Sequence, residues 1–120
     1  MPNADPNPVY PANLTVAVGA NQSLAIGGDS STTVQRNDSS TVQANQTVSV
    51  GKDLTVTVGK NLVLRAVDSI SIVCGAASLT LKKDGTIVIK GKDLTLDASG
   101  KINAKSSADI ALKGSKIGSN

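Results

Sequence analysis

The stretch that decides the fold runs from Val18 to Val73 and reads VGANQSLA, IGGDSSTT, VQRNDSST, VQANQTVS, VGKDLTVT, VGKNLVLR, AVDSISIV. It divides into seven units of eight residues, which we call octads. An apolar residue opens every octad, and glycine follows it in four of them, at Gly19, Gly27, Gly51 and Gly59. A fixed short period is typical of repeat proteins, in which one unit cannot bury its apolar face alone and stacking supplies the core.

Each octad predicts one short strand and one kink. Apolar residues alternate with polar ones, as in Leu54, Val56 and Val58, and side chains two residues apart lie on the same side of a strand. Runs such as Gly-Lys-Asp between these groups favour tight kinks. Further along, the apolar pairs are spaced by nine, then eight, then seven residues. We interpret this change as a bulge near Gly75, corrected near Gly91.

The composition favours thin, regular layers over a compact globule. Aromatic residues make up 1% of the chain, and Tyr10 is the only ring. Rings normally dominate a compact core, because each buries roughly 150–250 Å². Small β-branched residues have to bury the apolar surface here, in an all-β fold.

Positive charge is concentrated in the C-terminal part. Residues 50–120 contain ten Lys and Arg65 against six Asp, a net charge of about +5, within a chain of net charge +3. Nucleic-acid binding would call for aromatic stacking surfaces beside this charge, so nucleic acid is not an expected partner. Lysines on exposed strands discourage edge-to-edge association instead.

The chain is predicted to have two parts. Residues 1–13 contain all four prolines and form an extended lead-in, since proline lacks a backbone donor. Residues 14–120 form the β-helical needle. Within it, residues 29–41 keep only Val34 as a large apolar residue, so these layers are expected to be the weakest.

Two arrangements can close an eight-residue unit. One chain turning every 24 residues gives a three-sided solenoid, whereas three chains winding together let every octad pair with octads of its partners. Intertwining also buries area that a 12.1 kDa monomer lacks. The predicted fold is therefore an intertwined triple-stranded β-helix, a trimeric β-prism built from octapeptide repeats. Its predicted interior consists of the octad-opening residues Val18, Ile26, Val34, Val42, Val50, Val58, Ala66 and Cys74.

The single thiol is expected to be structural. Cys74 takes the octad place that Val50 and Val58 occupy, so we interpret it as a buried small apolar residue.

The C-terminal two thirds resemble a known family. The VG-led octads, the segment SLTLKKDGTIVIKGK (78–92) and the ending ALKGSKIGSN (111–120) are similar to the C-terminal needle of VgrG, the valine-glycine repeat spike of type VI secretion. Related β-helical spikes occur in contractile phage tails. The resemblance covers residues 42–120 well and 14–41 more loosely, and residues 3–13 resemble the junction with a preceding domain.

This resemblance implies a homotrimer at the tip of a contractile injection machine. The implied partners are a PAAR-repeat tip protein at the C-terminal end, the tail tube and hub through N-terminal domains missing here, and transiently the target-cell membrane. The implied location is assembly in the cytoplasm and secretion through the apparatus. By chain order, the tip segment comprises Lys113, Gly114, Ser115, Lys116, Ile117, Gly118, Ser119 and Asn120.

Catalysis is not expected. Without histidine, neither a Ser-His-Asp triad nor a Cys-His pair can form. The Gly-Lys pairs lack the earlier glycine of a phosphate-binding loop, and one Cys with scattered Asp does not predict a metal site. No cofactor is expected. The alternative function is that of a monomeric or adhesin-type β-solenoid binding a surface ligand.

Overall fold

The computed structural model describes residues 9–119, and its strands form one antiparallel meander. The strands are β1 (Ser69–Cys74), β2 (Ala77–Lys82) and β3 (Ile87–Lys90), in the order β1-β2-β3. The β-branched and leucine-rich sequences of the three strands favour this extended conformation. No helix occurs in the described part of the chain, so the predicted all-β class is confirmed.

The first turn of the meander is a two-residue hairpin loop, Gly75-Ala76. β1 and β2 pair one to one from Ser69↔Lys82 to Cys74↔Ala77. Gly75 has φ +56°, and no described residue other than glycine has a positive φ. A positive φ at the first central position alone is the pattern of a type II′ turn, which glycine favours there.

The second turn has three residues and is held by its own hydrogen bonds. Gly85 N–H donates to Lys82 O and Lys82 N–H donates to Thr86 O, both at 3.0 Å. Gly85 has φ +93°, which a side chain would disfavour. Asp84 accepts a 3.0 Å hydrogen bond from the Thr86 backbone N–H. This combination is the usual three-residue hairpin, a tight turn followed by a glycine in the left-handed region.

The interpretation of a bulge near Gly75 is therefore wrong. The ladder between β1 and β2 has no unpaired residue, and the chain reverses direction at Gly75-Ala76. The nine-residue step arises because Ile70 and Leu79 lie on the same face of the sheet but in different strands, one before and one after the Gly75-Ala76 turn. β3 then ends at Lys90, and the chain bends at 92–93, where the correction was expected.

Outside the meander the backbone is extended and bends at regular intervals. The chain divides into two compact units, one up to Asp53 and the other from Leu54. In the first unit, bends lie at 11–12, 19–20, 27–28, 35–36, 43–44 and 51–52. In the second, they lie at 59–60 and 67–68 before the meander, and at 92–93, 99–100, 107–108 and 115 after it. Up to 67–68 every interval is eight residues.

The described residues contain no buried core. All are exposed except for five half-buried meander residues, Ile70, Ser78, Leu79, Thr80 and Val88. The chain exposes 13204 Å². A compact monomer of 12.1 kDa would expose about 6,000 Å². The excess of about 7,000 Å² is apolar and polar surface that this chain does not cover by itself.

Octads do not pair with one another within the described chain. A single-chain solenoid would join each octad by a backbone ladder to the one 24 residues later. All strand pairing between residues 9 and 119 lies within the meander, and the three further backbone hydrogen bonds join residues between Asp68 and Thr86. The structure therefore does not show the solenoid of the alternative reading, and the predicted lead-in, 1–13, lies mostly outside the described residues.

Candidate functional site

The candidate functional surface is the set of octad-opening side chains. Each of the eight residues predicted as interior comes directly before a bend or turn, from Val18 before 19–20 to Cys74 before Gly75-Ala76. In a strand each of these residues shares a side with the residue two positions earlier, as Val58 does with Val56. That earlier residue is apolar in six of the eight cases and is Thr32 or Ser40 in the other two. The sequence period and the backbone bends thus place them at equivalent local positions.

Most of these side chains are exposed to nearly the same extent. Six of them expose between 45% and 50% of their surface in the single chain: Val18, Ile26, Val34, Val42, Val50 and Val58. The apolar residues two positions earlier are more open, with Val56 at 65% and Leu24 at 78%. Val34 in the polar segment does not differ from the others. Their burial against neighbouring layers stays a prediction, because the cover would have to come from other chains.

Cys74, like the other octad-opening residues, is uncovered in the single chain. It is a free thiol and is exposed. The physical reason is its position at the end of β1, beside the hairpin turn, on a sheet face with nothing packed against it. Whether an assembled state covers it is a prediction that the single chain does not test.

The meander adds a second apolar surface that sequence reasoning missed. Paired residues of an antiparallel sheet lie on the same face. The pairings therefore gather the apolar residues on one face of the sheet: Ile70, Ile72, Cys74, Ala77, Leu79, Leu81, Ile87 and Ile89. We call this set the meander face. The symmetry of Ile70/Ile72 and Leu79/Leu81 about Gly75-Ala76 was the signal that could have revealed it.

The opposite side of the sheet is mainly polar. It presents Ser69, Ser71, Val73, Ser78, Thr80, Lys82, Val88 and Lys90. The meander face itself has no charged residue, and Ile72 and Ile87 expose 56% and 62% of their surface. A sheet with one apolar and one polar side is typical of a sheet that packs on one face only.

The electrostatic contacts lie in the loops of the meander and do not form a reaction centre. Lys83 Nζ lies 3.7 Å from Asp68 Oδ1, with both side chains largely exposed, and Lys83 N–H donates to Asp68 O at 3.0 Å. The hydrogen bond from Thr86 N–H lowers the pKa of the Asp84 carboxyl below its ordinary value. An ion pair this exposed contributes little to stability.

No constellation for chemistry is brought together in residues 9–119. That range contains no group of three or more metal-ligating Cys, Asp or Glu side chains. A shallow depression lies between Ala66–Ile70 and Leu81–Lys83 and is lined by backbone, aliphatic side chains and the Asp68–Lys83 pair. The same range has no helix with the length and apolarity to cross a bilayer.

The predicted tip segment is extended. Residues 113–119 contain a single bend, at Ser115, and Ile117 exposes 64% of its surface. Asn120 lies outside the described residues. Within the described part of the chain, no hydrogen bond joins this segment to another, so its role stays a prediction.

Comparison with known proteins agrees with an assembly role for these surfaces. A stretch of 34 residues, 28% of this chain, is 62% identical to the type VI secretion system spike protein VgrG1b of Pseudomonas aeruginosa. That stretch covers 5% of the relative, so the chain spans only a small part of its length. The resemblance to VgrG that the sequence predicts is thereby confirmed.

A family match covers the region where the bends are most regular. Residues 11–81 match the family described as the bacteriophage T4 gp5 C-terminal trimerisation domain. The matched range includes all eight octad-opening residues and ends within β2, at Leu81. Because 71 of the 120 residues are matched, the chain belongs to the family of the T4 gp5 C-terminal trimerisation domain.

Proposed function

We propose that this chain is the needle part of a contractile-injection spike, in which three copies wind into an intertwined triple-stranded β-helix. The observation that carries the proposal is the missing core. Between residues 9 and 119 no side chain is buried, and the octads have no ladder within the chain. The family match supplies the number of chains, since its domain is a trimerisation domain.

The area left uncovered favours an obligate assembly. The single chain exposes about 7,000 Å² more than a compact protein of its mass. Obligate assemblies bury about 2,000–5,000 Å² or more, so surface of this extent suits permanent partners. In the trimer, each octad would pair with octads of the two partners above and below, and the octad-opening residues would form stacked apolar layers.

The role is mechanical rather than catalytic. A needle has to transmit thrust without bending, which requires a continuous ladder and a filled interior. The described residues offer aliphatic layers, turn residues and exposed lysines, which suit that requirement. As in a spike, the N-terminal end would connect to a hub and the tail tube, and the assembly would leave the cell through the secretion apparatus and cross a target-cell membrane.

The mass of the chain in solution tests the trimer. Light scattering on the full chain is expected to give about three times 12.1 kDa at all concentrations where it stays folded. Far-ultraviolet circular dichroism should lose its β signal in the same transition in which the mass falls to that of one chain. A folded species of 12.1 kDa would refute the proposal and favour the solenoid.

We also propose that residues 113–120 carry the PAAR-repeat tip protein. Ile117 is the large apolar residue of this segment and is open in the single chain. Ile117→Asp should abolish co-elution with a PAAR-repeat protein while leaving the trimer mass unchanged. Ala108→Asp places the same charge nine residues earlier, at an exposed bend, and serves as the control. Equal binding by the two variants would contradict this assignment.

A further inference from the structure

The octads before and after the meander are separated by a whole number of eight-residue units. The sequence GKDLT at 51–55 recurs at 91–95, and the separation of 40 residues is five octads. Because neighbouring octads are so similar, three chains held together only by octads could shift past one another by eight residues. Each shift would still place one octad-opening apolar residue on another, as Val50 on Val58, and it would place glycine on glycine at Gly19/Gly27 and at Gly51/Gly59. Strand register is poorly specified where the pattern repeats in this way.

The meander is the part of the described chain that does not repeat. It replaces the kinked octads with two chain reversals, at Gly75-Ala76 and at Lys83–Gly85. Its apolar face brings together residues from all three strands within a 22-residue segment, Ser69 to Lys90. No other described segment presents such a face, so a shifted partner would have nothing equivalent to place against it.

Resting on the homotrimer proposed above, we infer that the meander face binds the same face of two further copies and sets the axial register of the three chains. The occupant is a second copy because the face continues the trimerisation region, whose match ends inside β2 at Leu81. The face has no charge, and Leu81 and Ile89 still expose 36% and 58% of their surface. The polar opposite side, with Lys82 and Lys90, would face solvent.

The inference separates two roles along the chain. Octads supply the repeated contacts, and a stagger by eight residues would still stack their apolar opening residues. The three meander faces can cover one another only when they lie at the same height, so one stagger of eight residues would uncover all three. A single register is therefore selected by the meander and not by the length or number of octads.

A chain without the meander but with every octad in phase provides the test. Residues 69–92 are replaced by three copies of residues 53–60, DLTVTVGK, which preserves the length and joins directly to Asp93-Leu94. The parent carries Cys74→Ala, the replaced chain has no Cys74, and both carry Ser39→Cys, whose nitroxide label is measured by pulsed electron resonance. The parent is expected to give one distance between chains, and the replaced chain several, at the same trimer mass.

A milder pair of variants addresses the face itself. Ile72→Ser with Leu79→Ser removes two apolar residues from the meander face, whereas Val73→Ser with Val88→Ser makes the same change on the opposite side. The first pair should broaden the label distances into more than one population, and the second should leave a single population.

The outcomes distinguish this inference from the proposed function. A parent that is not a trimer overturns both. A trimeric parent with several label distances, or a replaced chain that keeps one distance, overturns the register role and leaves the spike intact. A replaced chain that stays monomeric also overturns it, because the meander would then be needed for association itself.

Discussion

A substitution that places one charge per chain in an octad layer is the most direct test of the proposed trimer. Val58 opens its octad and exposes 45% of its surface in the single chain, the lowest value among the octad-opening valines. In the trimer, three copies of this side chain would meet in one layer. We expect Val58→Asp to prevent the trimer from forming at neutral pH, because three carboxylates would lose water without gaining partners.

The size of the effect follows from the exposed fraction of the side chain. Full burial of a valine contributes about 1.5–3 kcal/mol, so covering the remaining 45% contributes about 0.7–1.4 kcal/mol per chain. For three chains this amounts to about 2–4 kcal/mol. Each unpaired buried carboxylate adds an effective penalty of several kcal/mol. The total is on the order of 10 kcal/mol or more per trimer, comparable with the whole stability of a domain, about 5–15 kcal/mol.

The matched control lies five residues away on the other side of the strand. Val63 exposes 69% of its surface and takes the octad place that Ser23, Ser39, Thr47 and Thr55 occupy elsewhere. Val63→Asp should keep the trimer mass and nearly the wild-type melting temperature. Light scattering and thermal unfolding at one fixed protein concentration compare the three proteins. A Val58→Asp trimer that melts like the wild type would refute the stacked-layer reasoning.

Three further predictions concern the meander. Gly75→Ala should destabilise each chain by about 1–2 kcal/mol, because Gly75 has a left-handed φ of +56°. Gly59 does not have a positive φ, so Gly59→Ala should lower the melting temperature less than Gly75→Ala does, and equal effects would contradict the turn assignment. Asp84 has a lowered pKa in the folded chain, so its contribution is present above the unfolded pKa of about 3.9 and is lost as the pH falls through the folded pKa. Asp84→Asn should therefore show a weaker fall in melting temperature below about pH 4 than the wild type, and identical pH profiles would exclude this role. Cys74, exposed in the single chain, should react with a maleimide much more slowly in the trimer than after dissociation, and equal rates would mean that the meander face stays uncovered.

The sequence predicted the repeating part of the structure well and its interruption poorly. Each octad opens at a residue that directly precedes a bend, because glycine or a polar pair after Val18 or Val58 permits a kink while the alternating residues favour extension. The same reasoning treated Gly75 as the site of a bulge and not as a hairpin turn. Composition does not distinguish a glycine at φ +56° from Gly59, which does not have a positive φ. Backbone pairing between strands decides whether a glycine lies in a hairpin turn, as Gly75 does, or at a bend, as Gly59 does. A local sequence pattern does not show that pairing.

The number of chains could not be derived from the period alone. Eight residues suit one side of a prism, but both a solenoid and a trimer satisfy that geometry. The structure shows no solenoid ladder between residues 9 and 119, since no octad there pairs with another. The tip role of residues 113–120 stays a prediction from the resemblance, because nothing in residues 113–119 distinguishes this segment chemically from other exposed segments.

The missing ladder also determines when the octads can become ordered. Fixing the backbone costs about 1–2 kcal/mol per residue, and contacts within the single octad chain do not offset this cost. In the proposed trimer, ordering of the octads would therefore coincide with their association, and unfolding would depend on chain concentration. The meander is the exception, because its ladder is formed within one chain, and three strands with an apolar face can be stable where a two-stranded hairpin is marginal. The meander is thus a locally paired segment between long unpaired ones, and three copies can align there first. The octads on either side can then add layers in the register that the meander sets.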